Sequence, residues 1–139
     1  MTIKVRVLSP LKFIGDFKAE EVVLPGKTGQ IGALKRHTGL YTALDTGLVR
    51  LKCQSKWVPI IVCGGFAEIS YNRIVVLAYE TEELKDISRE EAEEELERAS
   101  LAFINMEISE GKTLFDLSID LKKATAQLRA INYLSLNIL

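Results

Sequence analysis

The sequence predicts an α+β fold: an antiparallel β-sandwich or barrel followed by an antiparallel two-helix hairpin. Three observations carry this. Up to Tyr79 the apolar residues alternate or form short unbroken runs, the spacing of strands. After Tyr79 they step by three and four, the spacing of helices. Glycines and polar turn residues separate the early runs at short intervals, with no helical stretch between them. That leaves no crossover helices for a parallel α/β architecture.

Taken in order, Ile3, Val5 and Val7 alternate with Lys4 and Arg6, the pattern of a half-buried strand. Further strand runs are expected at Glu21–Leu24, Leu40–Leu44, Leu48–Cys53, Trp57–Cys63, Gly65–Ser70 and Arg73–Tyr79. Asp45-Thr46-Gly47 reads as a polar turn between two of them, with Gly47 at positive φ. Tyr71-Asn72 reads as the tight turn of a hairpin. A hairpin about Ser55-Lys56 would set Cys53 opposite Val58 and away from Cys63, so no bridge is expected. Two cysteines are too few for a disulfide framework or a zinc site. They read as buried free thiols in a reducing compartment.

Ser88 with Glu91 makes a capping box and opens a helix. Ala92, Leu96, Ala99, Phe103 and Met106 form its seam, and Gly111 ends the run. Leu114, Leu117, Leu121, Ala124, Leu128 and Ile131 repeat the stepping, so two helices reverse about a Ser-Glu-Gly turn. The alanines in both seams allow close packing but bury little area, so the hairpin is expected to be weakly held and able to move.

The net charge of −1 points to no nucleic-acid partner. Its distribution is uneven. Residues 1–79 hold eleven Lys or Arg against five Asp or Glu, and residues 80–98 hold three against ten. The two parts therefore present different surfaces, and the expected units are 1–84 and 85–139. The longest apolar runs, such as 58–66, are too short to span a bilayer, and MTIKVRVLSP reads as a strand and not as a signal or transit segment.

Enzyme readings fail on chemistry. Asp45-Thr46-Gly47 matches the Asp-Thr-Gly of aspartic proteases, which need two carboxylates sharing a proton. Leu48-Val49-Arg50 follows it where those enzymes carry a small residue. His37 is the only histidine, with no Ser or Cys nearby in sequence and no Asp or Glu between Glu21 and Asp45 to orient it. No helix is expected after Gly29-Gln30-Ile31-Gly32, so its glycines do not form a phosphate loop. No catalytic residue, metal or cofactor is expected. On residues alone, a β-sandwich binding module with a self-association arm is the competing reading.

The chain resembles the epsilon subunit of rotary ATP synthases in the order and spacing of several segments. These are Gly29-Gln30-Ile31-Gly32-Ala33-Leu34-Lys35-Arg36-His37, Thr42-Ala43-Leu44-Asp45-Thr46-Gly47, Gly64-Gly65-Phe66-Ala67-Glu68-Ile69, Val75-Val76-Leu77-Ala78 and Ala124-Thr125-Ala126-Gln127-Leu128-Arg129. The resemblance covers essentially the whole chain. It departs where many members place Pro-Gly or Pro-Asn before the histidine and a proline soon after. Here Lys35-Arg36 precedes His37, and Thr38-Gly39 follows. Gly-Gln-Ile-Gly, Leu44-Asp45-Thr46-Gly47-Leu48, Trp57 and Asn132-Tyr133-Leu134-Ser135 are similar to algal plastid versions. The start at Met1 fits a plastid-encoded chain.

The resemblance implies a sandwich, not a barrel, and a non-catalytic coupling role. Its implied partners are the gamma shaft, the membrane ring of c subunits and the catalytic alpha–beta head, with membrane contact only through the complex. The implied location is the stromal side of the chloroplast thylakoid membrane; the cytoplasmic face of a bacterial or cyanobacterial membrane is the alternative. The ring-facing loop maps onto Gln30, Gly32 and His37. The extended helices would reach an acidic segment of the head through Lys122, Lys123 and Arg129, restraining ATP hydrolysis. Some bacterial relatives bind ATP through an Ile-Asp-x-x-Arg-Ala motif. Here Ser88 and Glu91 stand where its Asp and Arg belong, and a carboxylate repels phosphate, so no ATP binding is expected.

Overall fold

A computed structural model describes residues 2–27, 29–33, 40–106 and 112–138. Its strands are β1 (Ile3–Ser9), β2 (Lys12–Ala19), β3 (Glu21–Gly26), β4 (Gly29–Ala33), β5 (Leu40–Cys53), β6 (Lys56–Ser70), β7 (Arg73–Ala78) and β8 (Thr81–Glu82). They join in the order β2-β1-β7-β6-β5-β3-β4, with β8 also pairing to β6. Helices α1 (Arg89–Ile104) and α2 (Leu114–Leu136) follow.

Two long strands organise the sheet. The sequence reads as four short runs where the structure has β5 and β6 continuous and paired from Leu40↔Ile69 to Cys53↔Lys56. One half of this hairpin pairs with β3 and β8, through Leu51↔Val22 and Ile61↔Glu82. In the other half, β6 pairs with β7 from Gly65↔Ala78 to Ser70↔Arg73. The change of partner falls at Gly64 and Gly65, whose φ angles are 77° and 140°. A Cβ on Gly65 would lie 2.1 Å from the Leu77 carbonyl oxygen. Only glycine fits this corner.

Inside lie Ile3, Val5 and Val7 of β1, Val22 and Leu24 of β3, and Leu44, Val49 and Leu51 of β5. Val62, Ala67 and Ile69 of β6, Ile74, Val76 and Ala78 of β7, and Ala19 of β2 complete the core. The alternation of β1 is borne out, since its even positions Lys4 and Arg6 are exposed. So is the Tyr71-Asn72 hairpin, closed by Ser70↔Arg73 with Asn72 at φ 59°.

Several expectations need correction. The sheet is mixed, because β1 runs parallel to β7 from Lys4↔Arg73 to Leu8↔Leu77. Short loops force only sequence neighbours to reverse, and β1 and β7 are not neighbours. Asp45-Thr46-Gly47 lies within β5, not in a turn, and Gly47 is not among the positive-φ residues. The Cys53 hairpin turns one residue earlier, at Gln54-Ser55 with φ 51° and 65°, so Cys53 faces Lys56 and Val58 faces Leu51. Two consecutive positive φ angles match the twist of a two-residue hairpin. Both cysteines are free, but half-buried where buried thiols were expected, and what burial they have raises both thiols. Lastly, α1 ends at Ile104, leaving Met106 exposed at φ 51° and outside the seam.

The expected Ser88 cap is present, with the Glu91 amide donating to Ser88 Oγ at 3.2 Å. The Glu91 carboxylate accepts from Ser88 Oγ at 3.3 Å and not from the Ser88 amide, so the capping box expected there is only half formed; a full capping box, Thr113 with Asp116, opens α2. The expected turn at Gly111 lies outside the described residues.

Gly65→Ala should cost at least about 2 kcal/mol, from a disfavoured φ and a contact with Leu77 backbone. Urea unfolding should give a lower midpoint with an unchanged slope. An unchanged midpoint would mean that β6 does not need this corner.

Candidate docking faces and the seat of the C-terminal helix

Cross-strand partners Leu48 and Ile61 point away from the sandwich interior and are covered by Ala126, Ala130 and Tyr133 of α2. This patch is small, and polar groups supplement it. Gln127, 2% exposed, accepts from the Lys85 amide at 3.1 Å and donates to the Glu83 carbonyl at 2.9 Å. Asn137 caps α2 and does the same to Trp57: the Trp57 amide donates to Oδ1 at 2.7 Å, and Nδ2 donates to the Trp57 carbonyl at 2.7 Å. Each carboxamide thus takes the place of a neighbouring strand's peptide group. Tyr133 adds an edge-on contact to Trp57 at 5.1 Å and lies under the Arg50 guanidinium at 4.8 Å.

The cations singled out in the sequence also lie on α2. Lys122 pairs with Asp45 at 2.9 Å, and Lys123 approaches Glu82 at 4.0 Å. Arg129 lines a cleft between α2 and the β3–β4 hairpin, with Lys122, Asp45 and Gln30. Burial pushes the Asp45 carboxyl up, but the hydrogen bonds from Lys122 and the Thr46 amide outweigh it and hold the group below its ordinary value. Asp45 is therefore an ion-pair partner and not half of a proton-sharing dyad.

On β4, Gln30 and Gly32 are both exposed. Gln30 Oε1 accepts from Arg50 Nη2 at 3.1 Å, and among the described residues a Cβ on Gly32 would meet nothing within 4 Å. His37 lies outside the described residues, so its position relative to these two is not defined.

Sequence reading missed a third face. The outward positions of β1, β7 and β6 include Leu8, Leu77 and Phe66 in one cross-strand row, with Phe13 of β2 beyond Leu8. Phe66 is 50% exposed and Leu77 52%. Tyr79 packs edge-on against Phe66 at 6.0 Å. Leu8, Pro10, Phe66, Leu77 and Tyr79 line an apolar hollow of about 380 Å³. A signal was available: Ala67 and Ile69 claim the inner face, so Phe66 must point outward.

The cleft between α1, α2 and residues 82–85 carries Lys85, Arg98 and Lys123 against Glu82, Glu95 and Asp120. Lys85 is paired to Glu95 at 3.2 Å.

A sandwich with an exposed apolar face and a helical hairpin laid along its side is built for assembly with other chains. Residues 2–84 match the model of the ATP synthase delta/epsilon chain beta-sandwich domain. The chloroplastic ATP synthase epsilon chains of Phaeodactylum tricornutum and Thalassiosira pseudonana are each 53% identical over 97% of this chain and 100% of their own length. That of Gracilaria tenuistipitata is 39% identical over 97% of this chain and 99% of its own. A chain in the cryo-EM structure of Euglena gracilis mitochondrial ATP synthase shares the fold, with a TM-score of 0.71, 19% identity and coverage of 94% of this chain and 81% of that one. The chain belongs to the ATP synthase epsilon chains, of chloroplast type, and is a non-catalytic subunit.

Trp57 is the only tryptophan and reports on the seat of α2. Asn137→Ala removes two hydrogen bonds worth about 1 kcal/mol each and should raise Trp57 quenching by acrylamide. The Lys122–Asp45 pair should add at most about 1 kcal/mol, because both groups are part-exposed and salt-screened. Since Asp45 is held below its ordinary value, this contribution is full above the unfolded carboxylate pKa, near about 4, and is lost as pH falls through the folded value. Acid should therefore raise quenching in the natural chain, and Asp45→Asn should remove part of that response. Identical quenching in all three proteins at all pH values would dissociate Trp57 from the helix seat.

Proposed function

We propose that the chain couples rotation of the membrane ring to ATP synthesis by joining the ring to the gamma shaft, on the stromal side of the thylakoid membrane. The observation that carries this is the exposed apolar row of Leu8, Leu77 and Phe66, with Tyr79 beside it. An apolar patch left open on one sandwich face suits a permanent protein partner, and the shaft is the partner proposed for it. Gln30 and Gly32 of β4, with His37, are the proposed contact to the ring. Gly32 is exposed, and among the described residues nothing lies within 4 Å of where its Cβ would be, which suits close approach of a partner backbone. The division of labour proposed is a docking unit, residues 1–84, and a regulatory unit, residues 85–139.

The regulatory proposal is that α1 and α2 leave the sandwich and restrain ATP hydrolysis at the catalytic head. The seat of α2 supports it, being a small apolar patch supplemented by carboxamides and ion pairs. Lys122 and Lys123, engaged by Asp45 and Glu82 in the folded arrangement, would be released together with Arg129 to meet acidic groups. No nucleotide role is proposed for the cleft between the helices, where three carboxylates face its three cations.

Gly32→Trp should leave the isolated fold near its natural stability, because Gly32 is exposed on β4 and among the described residues a Cβ there meets nothing within 4 Å. It should still lower ATP synthesis in the assembled enzyme by obstructing approach to the ring. A natural synthesis rate would remove the docking role from this segment.

Truncation after Gly111 should raise ATP hydrolysis by the assembled enzyme. Reversing charge at Lys122, Lys123 and Arg129 together should do so partly, with the difference fading in salt. Unchanged hydrolysis on truncation would end the inhibitory reading.

A further inference from the structure

The outward face of β2, β1, β7 and β6 changes character along its length. At one end Lys18, Lys4 and Arg73 lie in a single row, because Lys4 is the register partner of both others. In the middle Arg6 is clasped by Asp16, at 2.8 and 3.1 Å, followed by Val75 and Glu68. At the other end is the apolar row of Leu8, Leu77 and Phe66. The cationic row is unusual in itself. Like charges directly opposite one another on neighbouring strands destabilise a sheet, and here two such pairs share Lys4. Among the described residues none of Lys4, Lys18 and Arg73 lies within 4.0 Å of a carboxylate oxygen. Asp16, beside them, is held by Arg6, whose hydrogen bonds lower its carboxyl, with Arg73 adding to that only through space. Lys4, Lys18, Arg73 and the Arg6–Asp16 pair border a groove of about 430 Å³. The free subunit thus carries, on the same face as its exposed apolar row, three clustered cations that no carboxylate of the described residues holds in an ion pair.

We propose that Lys4, Lys18 and Arg73 form the electrostatic half of the shaft seat and receive carboxylates of the gamma shaft, while Leu8, Leu77 and Phe66 supply the apolar half. The proposal rests on the reading that the apolar row is where the shaft docks. The two halves then act differently. Charges speed and orient encounter, with an effect that salt removes. Buried apolar contacts hold the complex and act on dissociation.

The test uses the full chain and purified gamma shaft subunit of the same synthase, with association and dissociation rates measured at low and high salt. The triple variant Lys4→Glu, Lys18→Glu, Arg73→Glu should associate at least about tenfold more slowly at low ionic strength. The deficit should shrink severalfold near 0.5 M salt, where the screening length falls to about 4 Å. Lys4→Gln alone should associate more slowly while the isolated subunit melts at a higher temperature, because a like-charge contact is gone. That pairing of opposite effects guards against a variant that merely folds badly. Phe66→Asp should speed dissociation at either salt. If the cation variants associate at the natural rate while Phe66→Asp weakens the complex, the row lies outside the seat and the proposal fails, with the shaft reading intact. If Phe66→Asp also has no effect, the shaft reading itself fails. If the cation variants lose only binding to vesicles of anionic lipid, the row serves a membrane surface and the proposal is overturned.

Discussion

The corner at Gly64 and Gly65 is the constraint on which the other features depend. Before it, β6 pairs with β8 and turns Ile61 outward beneath α2. After it, β6 pairs with β7 and turns Phe66 outward to solvent. One hairpin therefore sets both the internal seat of the C-terminal helix and the external apolar row. The corner demands backbone angles that residues with a Cβ adopt only under strain, and it admits no Cβ beside the Leu77 carbonyl.

The two halves of the molecule are held by different physics. The sandwich core is a continuous cluster of aliphatic side chains contributed by β1, β3, β5, β6 and β7. Its stability scales with buried apolar area. The contact between α2 and the sheet centres on Leu48, Ile61, Ala126 and Ala130, with its remaining interactions polar or aromatic. Gln127 and Asn137 each satisfy both a donor and an acceptor of backbone that no neighbouring strand pairs there. Such bonds fix register well and add modest net stability. A helix held this way has one well-defined seat, which suits the regulatory role proposed for it.

Much of this was legible in the sequence. The alternation of β1 gave its inward and outward sets, and Ser88 with Glu91 marked the start of α1. What was not legible depended on contacts between distant residues. The parallel β1–β7 pairing has no local signature. Asp45-Thr46-Gly47 has the composition of a turn, yet the partner strand keeps β5 extended through it. Leu128 continues the helical seam, but the neighbouring Gln127 gave no hint of tethering residues 83–85. At the candidate sites, Gln30, Gly32 and the α2 cations came from a family resemblance, whereas the Leu8–Leu77–Phe66 row was open to simple strand parity and was overlooked. The cationic row required the register, because Lys4 and Arg73 meet only through the parallel pairing.

Native-state hydrogen exchange across the whole chain tests the central claim, that a lightly held helical arm rests on a firmly packed sandwich. Amides of α2, with those of Trp57 and Lys85, should exchange through an opening of much lower free energy than amides of Val62, Ile69 and Val76. Equal opening free energies for both sets would mean that helix and sandwich unfold as one unit, which would contradict that claim.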